Sequence, residues 1–259
     1  MVKWLSLEEG LAAAGLRIAL GRGGVPSPWS EFCRGLFHVK GIPFARVQGR
    51  DADGGFAGLK AVTAQESLPV VFWESERPRS SWLEQLTLAE RLSPAPAGLL
   101  PDSPHERALI VGLLSELCAE GGFGWHRRIL MIERLLTDEG YGPRERAIGQ
   151  YLAAKYGYAH ASAKESRRRC EAIVAAFSMQ LGDGRAFLAG NVFTALDIGW
   201  AAFAALLRPL PHEHCPMDAL WRDLFTWTPA DTSAEAVDVL LAHRDRVYRD
   251  WLGLPVVVR

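Results

Sequence analysis

The sequence predicts a small α/β domain followed by an all-helical domain. Three features carry that expectation. Before residue 93, short apolar and β-branched runs alternate with helical periods; residues 93–104 form a proline-rich break; and nearly everything from His105 onward has helical period. A chain of 259 residues is long enough for one large domain or two of ordinary size.

In chain order, a leading helix is expected from Ser6 to Ala14. Leu16–Leu20 is an apolar strand candidate, and residues 21–25 are a glycine-rich turn. Trp29 to Lys40 reads as a helix with Phe32, Leu36 and Val39 on one face, ended by Gly41 and then Pro43. Phe44–Val47 and Pro69–Trp73 are further strands, and Arg77–Arg79 a short edge strand. Ser81 to Leu92 is a helix for which Ser81 and Glu84 predict a capping box. Pro94, Pro96, Pro101 and Pro104 then exclude continuous helix or strand. The helices expected beyond them lie near 105–137, 143–156, 162–181, 194–208, 216–225 and 233–251, with Val256–Val258 the one strand-like run.

Apolar residues make up 49% of the chain and charged ones 23%, the balance of a globular protein, and the formal net charge is −1. Charge is balanced in both halves, which argues against nucleic acid or an anionic membrane as partner. Arg167, Arg168 and Arg169 sit among Lys164, Glu165 and Glu171 and read as a solvated helix face. The first residues contain no apolar core, so a secretory signal is not expected. The run from Val192 to Leu207 is too short to cross a bilayer and is interrupted by Asp197. Cys33, Cys118, Cys170 and Cys215 lack CxxC spacing and fit reduced thiols of a cytoplasmic protein. His212, Glu213, His214 and Cys215 are metal-ligand types, but Pro211 and Pro216 bracket them in a turn with no second cluster, so no metal is expected.

Residues 187–198, FLAGNVFTALDI, hold the sharpest local signal. Thr194 is placed to cap a helix, and Asp197 to reach back to the Thr194 N–H. Ile198, Trp200, Ala201, Phe203, Ala204 and Leu207 make that helix apolar almost all round, hence buried. The phrase L-x-G-N-x-x-T-x-x-D-I resembles the core helix of glutathione transferases. The organisation along the chain is similar to that family as well, so the chain resembles a divergent, bacterial-type member. The resemblance implies a thioredoxin-like, glutathione-binding domain over residues 1–95 and an all-helical domain over 104–259. It is weakest over Gly49–Glu66, where the family has a variable helix, and over Asp138–Ala161, which looks like added material.

The activating residue of the family lies at the start of the first helix after the first strand. Here residues 25–31 read VPSPWSE and align with a C-P-x-C turn, Ser27 and Ser30 standing at its cysteine positions. Two readings of Ser27 stand side by side: an N-cap followed by Pro28 at the first helical position, or a hydroxyl that donates to the glutathione sulfur. The absence of cysteine at both positions argues against a thiol reductase working through a mixed disulfide. Pro69 is either an ordinary strand-start proline or, as the resemblance implies, a cis-proline exposing the Leu68 backbone to the cysteinyl part of glutathione. Ser80 and Ser81 stand where the family has an acidic residue or Gln followed by Ser. Ser81 offers a hydroxyl to the γ-glutamyl carboxylate, while Ser80 brings no charge for the ammonium group.

Trp29, with Phe123, Trp125 and His126, is the candidate lining of a hydrophobic pocket between the domains, core packing being the alternative. Gly121, Gly122 and Gly124 interrupt the helical period there, as an opening at a cleft or as a plain break. The function implied is a detoxifying transferase that joins the glutathione thiolate to a small hydrophobic electrophile. Ser27 would be catalytic, and Trp29, Ser30, Leu68, Pro69, Ser80 and Ser81 would hold glutathione, in a cytoplasmic homodimer. The alternative is a non-catalytic ligand-binding or scaffold protein of the same fold.

Overall fold

A computed structural model describes residues 3–22, 27–93, 98–158 and 163–256. The chain begins with a mixed sheet of strands β1 (Trp4–Leu5), β2 (Leu16–Leu20), β3 (Ala45–Gln48) and β4 (Val70–Trp73) in the order β1-β3-β2-β4. β1 and β2 run parallel to β3, and β4 runs antiparallel to β2 with Val71 opposite Ile18. Every residue of β2 is buried, which is why an unbroken run marks it rather than alternation. Its one charge, Arg17, is held by the carbonyls of Gly10, Gly15 and Glu74.

Helices α1 (Leu7–Ala12), α2 (Pro28–Val39), α3 (Ala57–Thr63) and α4 (Trp82–Leu92) cover the sheet. α2 and α4 pack on the face that joins the main core. On the other face Ala19, Val47, Leu59, Val70 and Phe72 form a separate small core with Leu5, Leu7 and Phe56. The helical half comprises α5 (Pro104–Cys118), α6 (Phe123–Thr137), α7 (Pro143–Tyr156), α8 (Ala163–Leu181), α9 (Ala195–Phe203), α10 (Ala219–Phe225) and α11 (Ala234–Val247). A 3-10 turn, Ala204–Leu206, extends α9, and a π turn, Tyr248–Leu252, extends α11.

All of α9 is buried, against α2, α5 and α11, so the helix marked by the capping box is the hub of both halves. The box forms. Thr194 N donates to Asp197 Oδ2 at 2.9 Å, and Leu196 N donates to Thr194 Oγ1 at 3.3 Å. Asp197 does more than the sequence implies: Oδ1 also accepts from Leu188 N and from His243 Nε2, each at 2.9 Å. Arg246 donates to His243 Nδ1, which leaves the proton on Nε2 for Asp197.

Several expectations are corrected. The single helix over 105–137 is two helices, separated at Ala119–Gly122. The box at Ser81 does not form: Ser81 is the N-cap by backbone angle but makes no side-chain cap bond, and Glu84 pairs with Arg77 at 2.6 Å instead. Of Arg77–Arg79 only Arg79 bridges to the sheet, opposite Val71. The leading helix is shorter than expected, capped by Ser6 in a box with Glu9. β1 and α3 were not expected. Residues 23–25 of the glycine-rich turn, 94–97 of the proline-rich break, and Val257 and Val258 lie outside the described residues.

Candidate functional site

A cleft of about 630 Å³ lies between the sheet half and helices α5, α6 and α7. Its floor is the start of α2. Pro28 is the first helical residue, and Glu31 N donates to the Ser27 carbonyl to close the first turn; the N–H groups ahead of that bond at a helix start ordinarily have no partner within the helix. Ser27 is the N-cap by backbone angle, and its side chain makes no cap hydrogen bond, so the hydroxyl is not spent on the helix. Ser27, Trp29 and Ser30 all line the cleft.

The second wall is the segment before β4. The Leu68–Pro69 peptide is cis, and both residues border the cleft. Among the described residues, no hydrogen bond engages the main chain of Leu68. Gln85 of α4 is buried and donates from Nε2 to the carbonyls of Pro69 and Arg79, each at 3.2 Å. One side chain thereby pins the proline segment to the start of α4. Ser80 lies on the cleft in the connection between them.

The third wall comes from the helical half. Trp29 Nε1 donates to the carbonyl of Cys118 at 2.8 Å, and its ring meets Phe203 edge-on at 5.0 Å. Trp29 therefore bolts the start of α2 to α5 and α9. The glycine run is explained by this junction. Gly121 turns the chain at φ +79°, and a Cβ on Gly124 would lie 2.4 Å from Phe203 and 2.9 Å from Trp29. The run is both a helix break and the close approach that forms the back of the cleft. Trp125 packs edge-on against Tyr156 of α7 at 4.9 Å, and both line the cleft.

The structure thus brings Ser27, Trp29, Ser30, Leu68, Pro69, Ser80 and Trp125 to one cleft, and leaves three candidates outside it. Phe123 is 0% exposed, its ring set among Trp200 and Trp227, so it is core. His126 turns toward α8, its Nδ1 3.0 Å from Ser166 Oγ; burial and then Arg169 lower its pKa. Ser81 is exposed at the start of α4 and is not part of the lining.

The sequence reading missed Arg50, Phe56, Gln85, Arg128, Tyr151, Lys155 and Tyr156, which also line the cleft. Three of these come from α7, inside the stretch that resembles added material. All four cysteines are buried, and burial drives the thiols of Cys33 and Cys118 far above their ordinary range and that of Cys170 to about 12. Cys215 packs against the core beside the His212 turn. Among the described residues, no group of three His, Cys, Asp or Glu side chains could hold a metal.

No protein-family model matches the chain, and no curated protein matches it in sequence. Solved structures do match in fold. A glutathione S-transferase domain-containing protein from Marinobacter aquaeolei aligns with TM-score 0.62 at 18% identity, over 92% of this chain and 100% of that one. A rice glutathione transferase in complex with glutathione aligns with TM-score 0.59 at 17% identity, over 92% of this chain and 88% of that one. A Methylobacterium radiotolerans glutathione S-transferase in complex with glutathione sulfonate gives 0.56 at 18%, over 85% and 99%. With a thioredoxin-like sheet domain, an all-helical domain built around a capped central helix, and a cleft between them, this chain has the fold of the glutathione S-transferases.

Proposed function

We propose that the chain is a glutathione-dependent transferase, in which Ser27 favours ionisation of the glutathione thiol for attack on an electrophile bound in the cleft. The observation that carries this reading is the Ser27 hydroxyl at the start of α2, which makes no cap hydrogen bond and lies on the same cleft as the main chain of Leu68, unpaired among the described residues. A thiol in water has a pKa of about 8.5. Near Ser27 it would meet a hydroxyl donor together with the free N–H groups and partial positive charge of a helix start, all of which favour the thiolate. The Leu68 N–H and C=O are the donor and acceptor that an extended peptide needs to add an antiparallel strand, and the cysteinyl residue of glutathione is such a peptide.

The chemistry then balances simply. The thiol proton passes to solvent, the sulfur lone pair forms a bond to the electrophilic carbon, and the leaving group departs with its bonding electrons. A reductase reading has no nucleophile, since the helix start carries serine and Cys33 lies buried on the inner face of α2. The scaffold reading rests on Ser80, which brings no charge to the ammonium of a γ-glutamyl group. Solved structures of this fold hold glutathione or its sulfonate, which supports the first reading. The proposal includes a cytoplasmic homodimer, for which light scattering on the purified protein is the test of assembly.

Retention on immobilised glutathione with elution by free glutathione is the expected result. If the protein passes through the column and shows no binding at millimolar glutathione, the transferase reading falls and the scaffold reading replaces it.

A further inference from the structure

The cleft is more basic than the chain that builds it. The protein carries a formal net charge of −1, yet Arg22, Arg50, Arg128 and Lys155 border the cleft against Glu120, while Glu31 and Arg34 pair with one another at 2.6 Å. Of these, Arg128 is the unusual one. It is only 9% exposed, and no carboxylate pairs with it among the described residues. Its contacts are the Met131 sulfur at 3.4 Å and the faces of Phe225 and Trp29 at 4.9 and 5.9 Å. A guanidinium buried this far is ordinarily matched by a carboxylate or by several carbonyls. The adjacent Arg127 shows the ordinary solution, donating to the carbonyls of Leu206, Leu224 and Phe225.

Lys155 approaches from α7. Its ammonium lies 5.6 Å from the centre of the Phe56 ring, with Arg50 4.5 Å from the same ring, and it donates to the Glu66 carbonyl at 3.2 Å. It remains open to water along the cleft. Burial, then the neighbouring charges of Arg50 and Arg128, lower its pKa. Three cations bordering one aromatic-lined cleft disfavour each other, and an anion placed among them relieves that cost.

We propose that the electrophile carries a carboxylate beside an aromatic or apolar body, the carboxylate seated between Arg128 and Lys155 and the body against Trp125 and Tyr156. This rests on the reading of the cleft as a two-substrate site and names the class of its second substrate. It also assigns a role to α7, which supplies Lys155 and Tyr156 to that substrate and ties to the backbone just before Leu68. A planar guanidinium fork fits a carboxylate in two parallel hydrogen bonds, and the low exposure of Arg128 keeps water from competing.

The test is calorimetric titration with 1-naphthylacetate and its neutral counterpart 1-naphthylacetamide, without glutathione and again with S-methylglutathione present. The wild type is expected to bind the carboxylate roughly tenfold tighter than the amide, the effect of one charge-assisted hydrogen bond. Lys155→Gln and Arg128→Gln should bring the two within about twofold, and Lys155→Arg should restore the preference. The surface variant Lys155→Gln keeps the test readable if Arg128→Gln does not fold. Equal binding of the two compounds by the wild type, or a preference untouched by Lys155→Gln, overturns the proposal. Competitive displacement of the carboxylate by S-methylglutathione also overturns it, because the cations would then serve glutathione's own carboxylates. A separate titration with glutathione alone reads the transferase proposal independently.

Discussion

Replacing Asp197 with Asn should remove a large part of the stability of this protein, although the two side chains have nearly the same shape. Asp197 is 0% exposed, and its two oxygens accept from Leu188 N, Thr194 N, Thr194 Oγ1 and His243 Nε2. An amide keeps one oxygen. Turned one way, its NH2 faces the Thr194 N–H; turned the other, it faces the Leu188 N–H and His243. Either way a buried donor meets a donor, at about 1–3 kcal/mol, and the remaining hydrogen bonds lose the help of a charge, for a total of about 3–5 kcal/mol. With a urea dependence of about 3 kcal/mol per molar for a chain of this size, the midpoint should fall by about 1–1.7 M. Thr194→Ala, which removes the cap alone, should cost about 1 kcal/mol. Urea titrations followed by tryptophan fluorescence and far-ultraviolet circular dichroism measure both variants. If Asp197→Asn costs no more than Thr194→Ala, the four-way role assigned to the carboxylate is wrong.

Gln85→Leu removes both Nε2 bonds that hold the Pro69 segment, so glutathione affinity should weaken roughly fivefold, as for the loss of about 1 kcal/mol of positioning. Calorimetry on folded variant protein checks this, and unchanged affinity would show that the segment needs no support. The pH dependence near His126 follows from its depressed pKa. The unfolded chain takes up this proton more readily than the folded one, so its contribution to stability is present above the ordinary histidine pKa of about 6.5 and is lost as pH falls below it. Urea midpoints between pH 7.5 and 5 should therefore fall less in His126→Gln than in the wild type; equal falls would remove His126 from the account.

The parts of this structure that were legible in the sequence are those encoded over a few neighbouring residues. The cap at Thr194 and Asp197 announces α9 because its donors and acceptor lie within one turn, and the apolar residues that follow declare the helix buried. The same logic failed at Ser81, where Arg77 competes successfully for Glu84. β1 escaped notice because two residues show no period, and α3 because its N-cap, Phe56, offers no side-chain cap bond. The site was half legible. Ser27, Leu68 and Pro69 sit in local patterns, whereas Arg128 and Lys155 look like ordinary charges on helices until the fold turns them into one cleft. For Phe123 the core alternative holds and His126 turns to α8, because one turn of α6 faces the core, the cleft and α8 at once, and the sequence does not say which residue looks where.

We propose that Ser27 promotes ionisation of a bound glutathione thiol. Titration of wild type and Ser27→Ala with glutathione across a range of pH, in buffers of different ionisation enthalpy, tests it most directly because it counts protons as well as binding. The wild type should bind with release of a proton near neutral pH, and Ser27→Ala, folded by circular dichroism, should lose most of that release. Absence of binding at millimolar glutathione, or proton release that survives unchanged in Ser27→Ala, would contradict it.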